Sequence, residues 1–150
     1  MGASGWDYVT EYEGGVEASL TALQARVFRE EFGEIDDYPD LASLWADHEF
    51  MGTQGTHTIL DVVRVVRGPE EQEGTVRPLA ADRILHHFGT DRPTVAQFEE
   101  LIARASRAMS HQEYTESLSS EGSLRWSGLY VLLYTGDEPT HVGFFGSSGD

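Results

Sequence analysis

Leu124-Arg-Trp-Ser-Gly-Leu-Tyr-Val-Leu-Leu-Tyr134 and His141-Val-Gly-Phe-Phe145, joined by Thr135-Gly-Asp-Glu-Pro-Thr140, decide the fold. Both runs are short, apolar and rich in aromatic or β-branched residues, and the residues between them are turn formers. The pattern predicts a β-hairpin with a slightly long loop. Working outward, Thr58-Ile-Leu-Asp-Val-Val-Arg-Val-Val66 is a nearly unbroken apolar run and predicts a well-buried central strand. At the other end Trp6, Tyr8, Thr10 and Tyr12 alternate with Asp7, Val9 and Glu11, the period of a half-buried strand, which Gly14-Gly15 ends.

The segments between these strands change period. Val16, Leu20, Leu23, Val27 and Phe28 recur at helical spacing, and the helix they predict runs to about Phe32. Past the acidic loop Glu34 to Asp40, Asp40 is a suitable N-cap for a helix carrying Leu41, Leu44, Trp45 and His48. The loop Gly68 to Gly74 should be solvated, and Leu79 to Phe88 should form a short helix that Gly89 terminates. Thr94 and Gln97 are spaced as a capping box for a further helix, whose buried stripe would be Val95, Phe98, Ile102, Ala105 and Met109. The order expected is β-α-α-β-α-α-β-β: an α+β domain over residues 1–150, with a mostly antiparallel sheet of about four strands and helices packed on one face.

Composition narrows the chemistry. A chain of 150 residues with 39% hydrophobic residues fits one ordinary globular core. The absence of cysteine excludes disulfides, thiolate zinc sites and cysteine nucleophiles. The N-terminal residues lack the basic and apolar regions of a secretory leader, and no apolar run is long enough to span a membrane, so a soluble cytoplasmic protein is expected. The formal charge of −16 disfavours nucleic acid, anionic membranes and phosphate-rich ligands, and favours a basic protein partner or a small molecule. All ten basic residues are arginine, which removes lysine Schiff-base chemistry and the P-loop lysine.

Trp6-Asp7-Tyr8, Gly55-Thr-His-Thr-Ile-Leu-Asp61, Phe88-Gly-Thr-Asp-Arg-Pro-Thr94 and the closing Gly149-Asp150 resemble landmarks of a family of small bacterial proteins with no assigned activity. The resemblance would cover most of the chain. It implies a stand-alone bacterial domain and carries over no catalytic or binding residue.

The densest polar cluster is His48-Glu49, Gly52, Gly55, His57 and Asp61. On a strand His57 and Asp61 would share one face, where the carboxylate could orient the imidazole as a general base, with Glu49 beside them. The structural alternative has His57 capping the strand and Asp61 pairing with Arg64 or Arg125. His48, Glu49, His57 and His141 have no ligand spacing, so neither a metal nor a cofactor is expected. His86 and His87 point about 100° apart on a helix and read as partly exposed. Gly146-Ser-Ser-Gly-Asp150 has the glycines of a phosphate loop without a following helix.

An aromatic surface built from Tyr8, Tyr12, Trp126 and Tyr130 would be left open if helices covered only one face of the sheet, and could receive a partner between acidic loops. Two functions are therefore expected from the sequence. The first is an acidic protein-binding module, of the kind an immunity or inhibitor protein would be. The alternative is a small acid-base enzyme, such as a biosynthetic accessory, with its pocket near Gly52 to Asp61 and with Tyr12 or His141 as further acid-base groups.

Overall fold

The computed structural model describes residues 5–33, 38–53, 55–68, 70–122 and 124–148. The closing Gly149-Asp150 and residues 34–37 of the acidic loop lie outside them. The elements run β1 (Gly5–Glu11), α1 (Val16–Phe32), α2 (Leu41–Ala46), α3 (His48–Thr53), a 3-10 turn (Ile59–Asp61), β2 (Arg64–Val65), β3 (Thr75–Pro78), α4 (Ala81–Phe88), α5 (Val95–Ser106), α6 (His111–Thr115), a second 3-10 turn (Leu118–Glu121), β4 (Ser127–Thr135) and β5 (Glu138–Ser147).

The hairpin stands at the centre of a five-stranded sheet of order β1-β5-β4-β3-β2. Its connection is tighter than expected: Thr135 pairs with Glu138, so only Gly136 and Asp137 turn the chain, with Gly136 at φ +64°. β5 pairs antiparallel with β4 and β1, whereas β3 runs parallel to both β4 and β2. The sheet is therefore mixed: its long ladders, β1-β5-β4, are antiparallel as expected, and the short strands β3 and β2 add to them in parallel. The helices between β3 and β4 return the chain to the sheet in the same direction, the crossover a parallel pair requires.

Helices also cover both faces, not one. Phe144 and Phe145 are adjacent and both buried, so they must point to opposite sides of the pleat. Phe144 joins Leu20, Leu23, Val27 and Leu44 of α1 and α2. Phe145 joins Phe88 and Phe98 of α4 and α5, together with Leu129, Val131 and Leu133. The unbroken apolar run of β4 is what a strand buried on two sides looks like.

The segment Thr58 to Val66 is not a central strand. Ile59, Leu60 and Val62 are fully buried, but in and just after a 3-10 turn that Thr58 caps through its hydroxyl, 3.1 Å from the Leu60 amide. Gln24 of α1 reaches in and donates to the carbonyls of Ile59 and Val62, at 3.1 and 2.6 Å. Those carbonyls thereby obtain side-chain partners, and only Arg64–Val65 remains as an edge strand.

Local signals elsewhere behave as expected. Asp40 caps α2 through the Ser43 amide at 2.8 Å, Gly89 ends α4 in the left-handed conformation, and the Thr94–Gln97 capping box is present. The helix after Asp40 breaks at Asp47, whose carboxylate accepts from the Phe50 amide at 3.1 Å. α5 ends at Ser106, which leaves Met109 exposed rather than in the buried stripe.

Candidate functional site

His57 and Asp61 do come together, but not as an imidazole–carboxylate pair. Gly55 and His57 both have positive φ, +69° and +59°, and fold the chain into a tight turn ahead of the 3-10 segment. Asp61 is 4% exposed, and its carboxylate accepts from the Thr56 amide at 2.7 Å, the Thr56 hydroxyl at 2.8 Å and the His57 amide at 3.1 Å. It addresses the backbone of His57, while the His57 Nδ1 lies 3.0 Å from the hydroxyl of buried Ser148. The shared strand face expected for the two residues is absent because residues 59–61 are helical. Asp61's partners are backbone amides and a hydroxyl, not Arg64 or Arg125. Glu49 sits exposed on α3, and its carbonyl accepts from the Thr53 hydroxyl at 2.7 Å.

Trp126 joins this turn. Its φ is +66°, its amide donates to Ser147 at 3.1 Å, and its carbonyl accepts from Gly74 at 2.6 Å. The indole closes over Gly55, where an added Cβ would lie 2.6 Å from Trp126 Cη2. Tyr8, Tyr12 and Tyr130 are half-buried and pack against the core beneath α1, so the open aromatic face expected from one-sided helix packing does not form. Burial pushes the Tyr8 hydroxyl above its ordinary value, partly offset by a backbone hydrogen bond at Ile59 and reinforced by the charges of Glu31, Asp7 and Glu30. Burial and Glu17 do the same to Tyr130, opposed by Arg67.

None of His57, Asp61 and Glu49 lines the three clefts described below. One, of about 570 Å3, lies among α4, the end of α5, α6 and the second 3-10 turn. His87 and Arg104 line it together with an adjoining cleft of about 350 Å3. His87 Nε2 is 2.6 Å from Glu121 Oε2, which also receives Arg83 Nε and Nη2 at 2.9 and 2.7 Å. Burial alone would raise the Glu121 carboxyl; the hydrogen bonds and charges of Arg83 and His87 together outweigh it and hold the group below its ordinary value. The expectation of two partly exposed histidines therefore holds for His86 only, because the His87 side chain is 5% exposed.

A second cleft of about 570 Å3 opens between the Gly5 end of β1, the Ser147 end of β5, and α5; Asp7, Tyr114, Arg125 and Ser127 line it. Asp7 is solvent-accessible as a residue, yet burial of its carboxyl holds the group above its ordinary value of 3.8, and it makes no hydrogen bond among the described residues. A raised carboxyl means the folded state disfavours the ionised form, so its destabilisation develops as pH rises through about 3.8 and persists above the folded value. Asp7→Asn is expected to raise the thermal midpoint at neutral pH, and the gain should shrink towards pH 3. Thermal scans at both pH values check this, with Glu99→Gln on α5 as the control for net charge. A gain independent of pH, or matched by the control, would contradict it.

Among the described residues no three histidine, aspartate or glutamate side chains form a metal-binding group, and no helix is long and apolar enough to cross a membrane. Fold and clefts together define an open, mixed α/β sheet sandwiched between helices, with two solvent-facing clefts of mixed polar and apolar lining. No known protein family, curated protein or solved structure matches the chain. The likeness to small bacterial proteins rests on the quoted motifs alone.

Proposed function

We propose that this chain is a protein-binding module for a basic partner, working in the bacterial cytoplasm as an immunity or inhibitor protein would. The observation that carries the reading is the charge of −16, and its placement gives it a surface. Arg77, Arg83, Arg92, Arg104 and Arg107 are each engaged by a glutamate or aspartate of the same chain. The carboxylates of Glu11, Glu13, Glu17, Glu30 and Glu31 face solvent along β1 and α1. β1 is a terminal strand of the sheet, and its half-buried Tyr8 sits within the field of Asp7, Glu30 and Glu31. The exposed carboxylates along this edge suit a complementary basic surface and would steer the encounter.

Association with the host partner should slow as salt is raised, because exposed charges act over a Debye length of about 8 Å at physiological ionic strength. Glu30→Arg/Glu31→Arg should lower the association rate about tenfold at low salt and leave dissociation nearly unchanged. Surface plasmon resonance across a salt series reads both quantities. Salt-insensitive association, or an unaltered rate in the charge-reversed variant, would remove the basis for the proposal. The acid-base enzyme expected near Gly52 to Asp61 has less in its favour, since hydrogen bonds to the turn backbone occupy both oxygens of Asp61.

A further inference from the structure

We propose that the cleft lined by His87, Arg104 and Arg107 binds a small zwitterion carrying a free ammonium and a free carboxylate: an amino acid or a short peptide. This site is independent of the partner surface on β1. The argument begins with His87, whose imidazole is held in one orientation. Glu121 fixes Nε2 at 2.6 Å and is itself fixed by Arg83. A carboxylate only accepts, so Nε2 is the nitrogen that donates to Glu121, and Nδ1 is the ring nitrogen left for a ligand.

Nδ1 makes no hydrogen bond among the described residues. It is not sealed in the protein either, since the described side-chain atoms that are both buried and unpartnered are Trp6 Nε1 and Arg77 Nε. The second nitrogen of a nearly buried imidazole therefore keeps some access to solvent, on a residue that lines both clefts.

The remaining lining supplies both signs of charge. Arg104 and Arg107 share one carboxylate, Glu100, at 3.6 Å each, too long for a tight bidentate pair, so their guanidinium donors stay in surplus. Glu113 and Glu116 line the same cleft. Two arginines, bridged by Glu100, and two glutamates line the cleft, so both signs of charge face it in a chain whose charge is −16.

A purely anionic ligand would meet the field of the whole chain as well as these two glutamates, and a purely cationic one would meet the arginines. A zwitterion meets neither penalty. Its carboxylate suits the forked donors of Arg104 and Arg107, and its ammonium suits Glu113 and Glu116, in the cleft that His87 also lines. Leu101 and Leu118 add an apolar wall, which favours an aliphatic side chain.

The test is an NMR titration of the His87 ring resonances, assigned with His87→Gln, using L-leucine and leucyl-leucine as probes. Saturable shifts with either probe are expected, and the tighter of the two shows whether an amino acid or a peptide end is the natural ligand. N-acetyl-leucine, which lacks the ammonium, and leucinamide, which lacks the carboxylate, should each bind about tenfold more weakly or worse, the loss of one charge-assisted contact. Arg104→Ala/Arg107→Ala should weaken leucine about tenfold while leaving leucinamide unchanged. The circular dichroism spectrum of that double variant should match the parent, since both arginines are exposed. Absence of a saturable His87 shift with both probes, or equal binding of leucine and its two blocked derivatives, would overturn the assignment.

Discussion

Replacing Phe98 with alanine should lower the unfolding free energy by about 3–5 kcal/mol, a large part of the 5–15 kcal/mol typical of a domain. Phe98 is 1% exposed and is the main apolar contact of α5 with the sheet. Its ring lies over Gly143 of β5, where an added Cβ would stand 2.8 Å from Cε1, and its centroid is 6.0 Å from that of Phe145. The site is shaped for a ring by Gly143, which has no side chain to fill the space directly beneath it. That places the loss towards the upper end of the range for aromatic truncation. In urea the midpoint should fall with the slope unchanged, because both states expose nearly the same surface as in the parent. A loss below about 1 kcal/mol would mean that α5 does not dock on this face in solution. The zwitterion cleft would then lose one of its walls, because α5 carries Arg104.

What could be read from the sequence is what neighbouring residues determine among themselves. The β4–β5 hairpin, the amphipathic α1, the Asp40 and Thr94 caps and the Gly89 stop each depend on a handful of consecutive positions. Strand order and helix side depend on partners far along the chain. Thr58 to Val66 has a strand's composition, yet Gln24, 35 residues from Ile59, satisfies carbonyls that a ladder would otherwise use. Gly74-Thr-Val-Arg-Pro78 is too short and too close to proline to announce a strand, and it became β3 because β4 lies alongside it. The same reasoning explains the sites. His87 looked like half of an exposed pair, since its partner Glu121 is 34 residues away in a serine-rich stretch with no period of its own. One signal was available: Arg83 and His87 are four apart on α4, so they share a face and converge on a common acceptor. Asp7, by contrast, carries no local sign that its carboxyl is desolvated.

Asp61→Ala should destabilise the protein by about 3 kcal/mol, the expected cost of stripping a buried charged acceptor from several donors. The Thr56 amide, the Thr56 hydroxyl and the His57 amide would lose their partner, at a position that is 4% exposed. These bonds also hold His57 at φ +59°, a conformation that non-glycine residues adopt only when the surroundings enforce it. Without them the turn that seats Trp126 over Gly55 should loosen, and near-ultraviolet circular dichroism should lose tryptophan signal along with the fall in stability. Asp61→Asn separates geometry from acidity. The amide oxygen can still accept from Thr56, but its NH2 group then faces the His57 amide, donor against donor, so the loss should fall between the parent and the alanine variant. Denaturant titrations of the three proteins give the ranking. If Asp61→Ala were as stable as the parent, the carboxylate would not be holding this turn together, and a chemical role for Asp61 beside His57 would regain its ground.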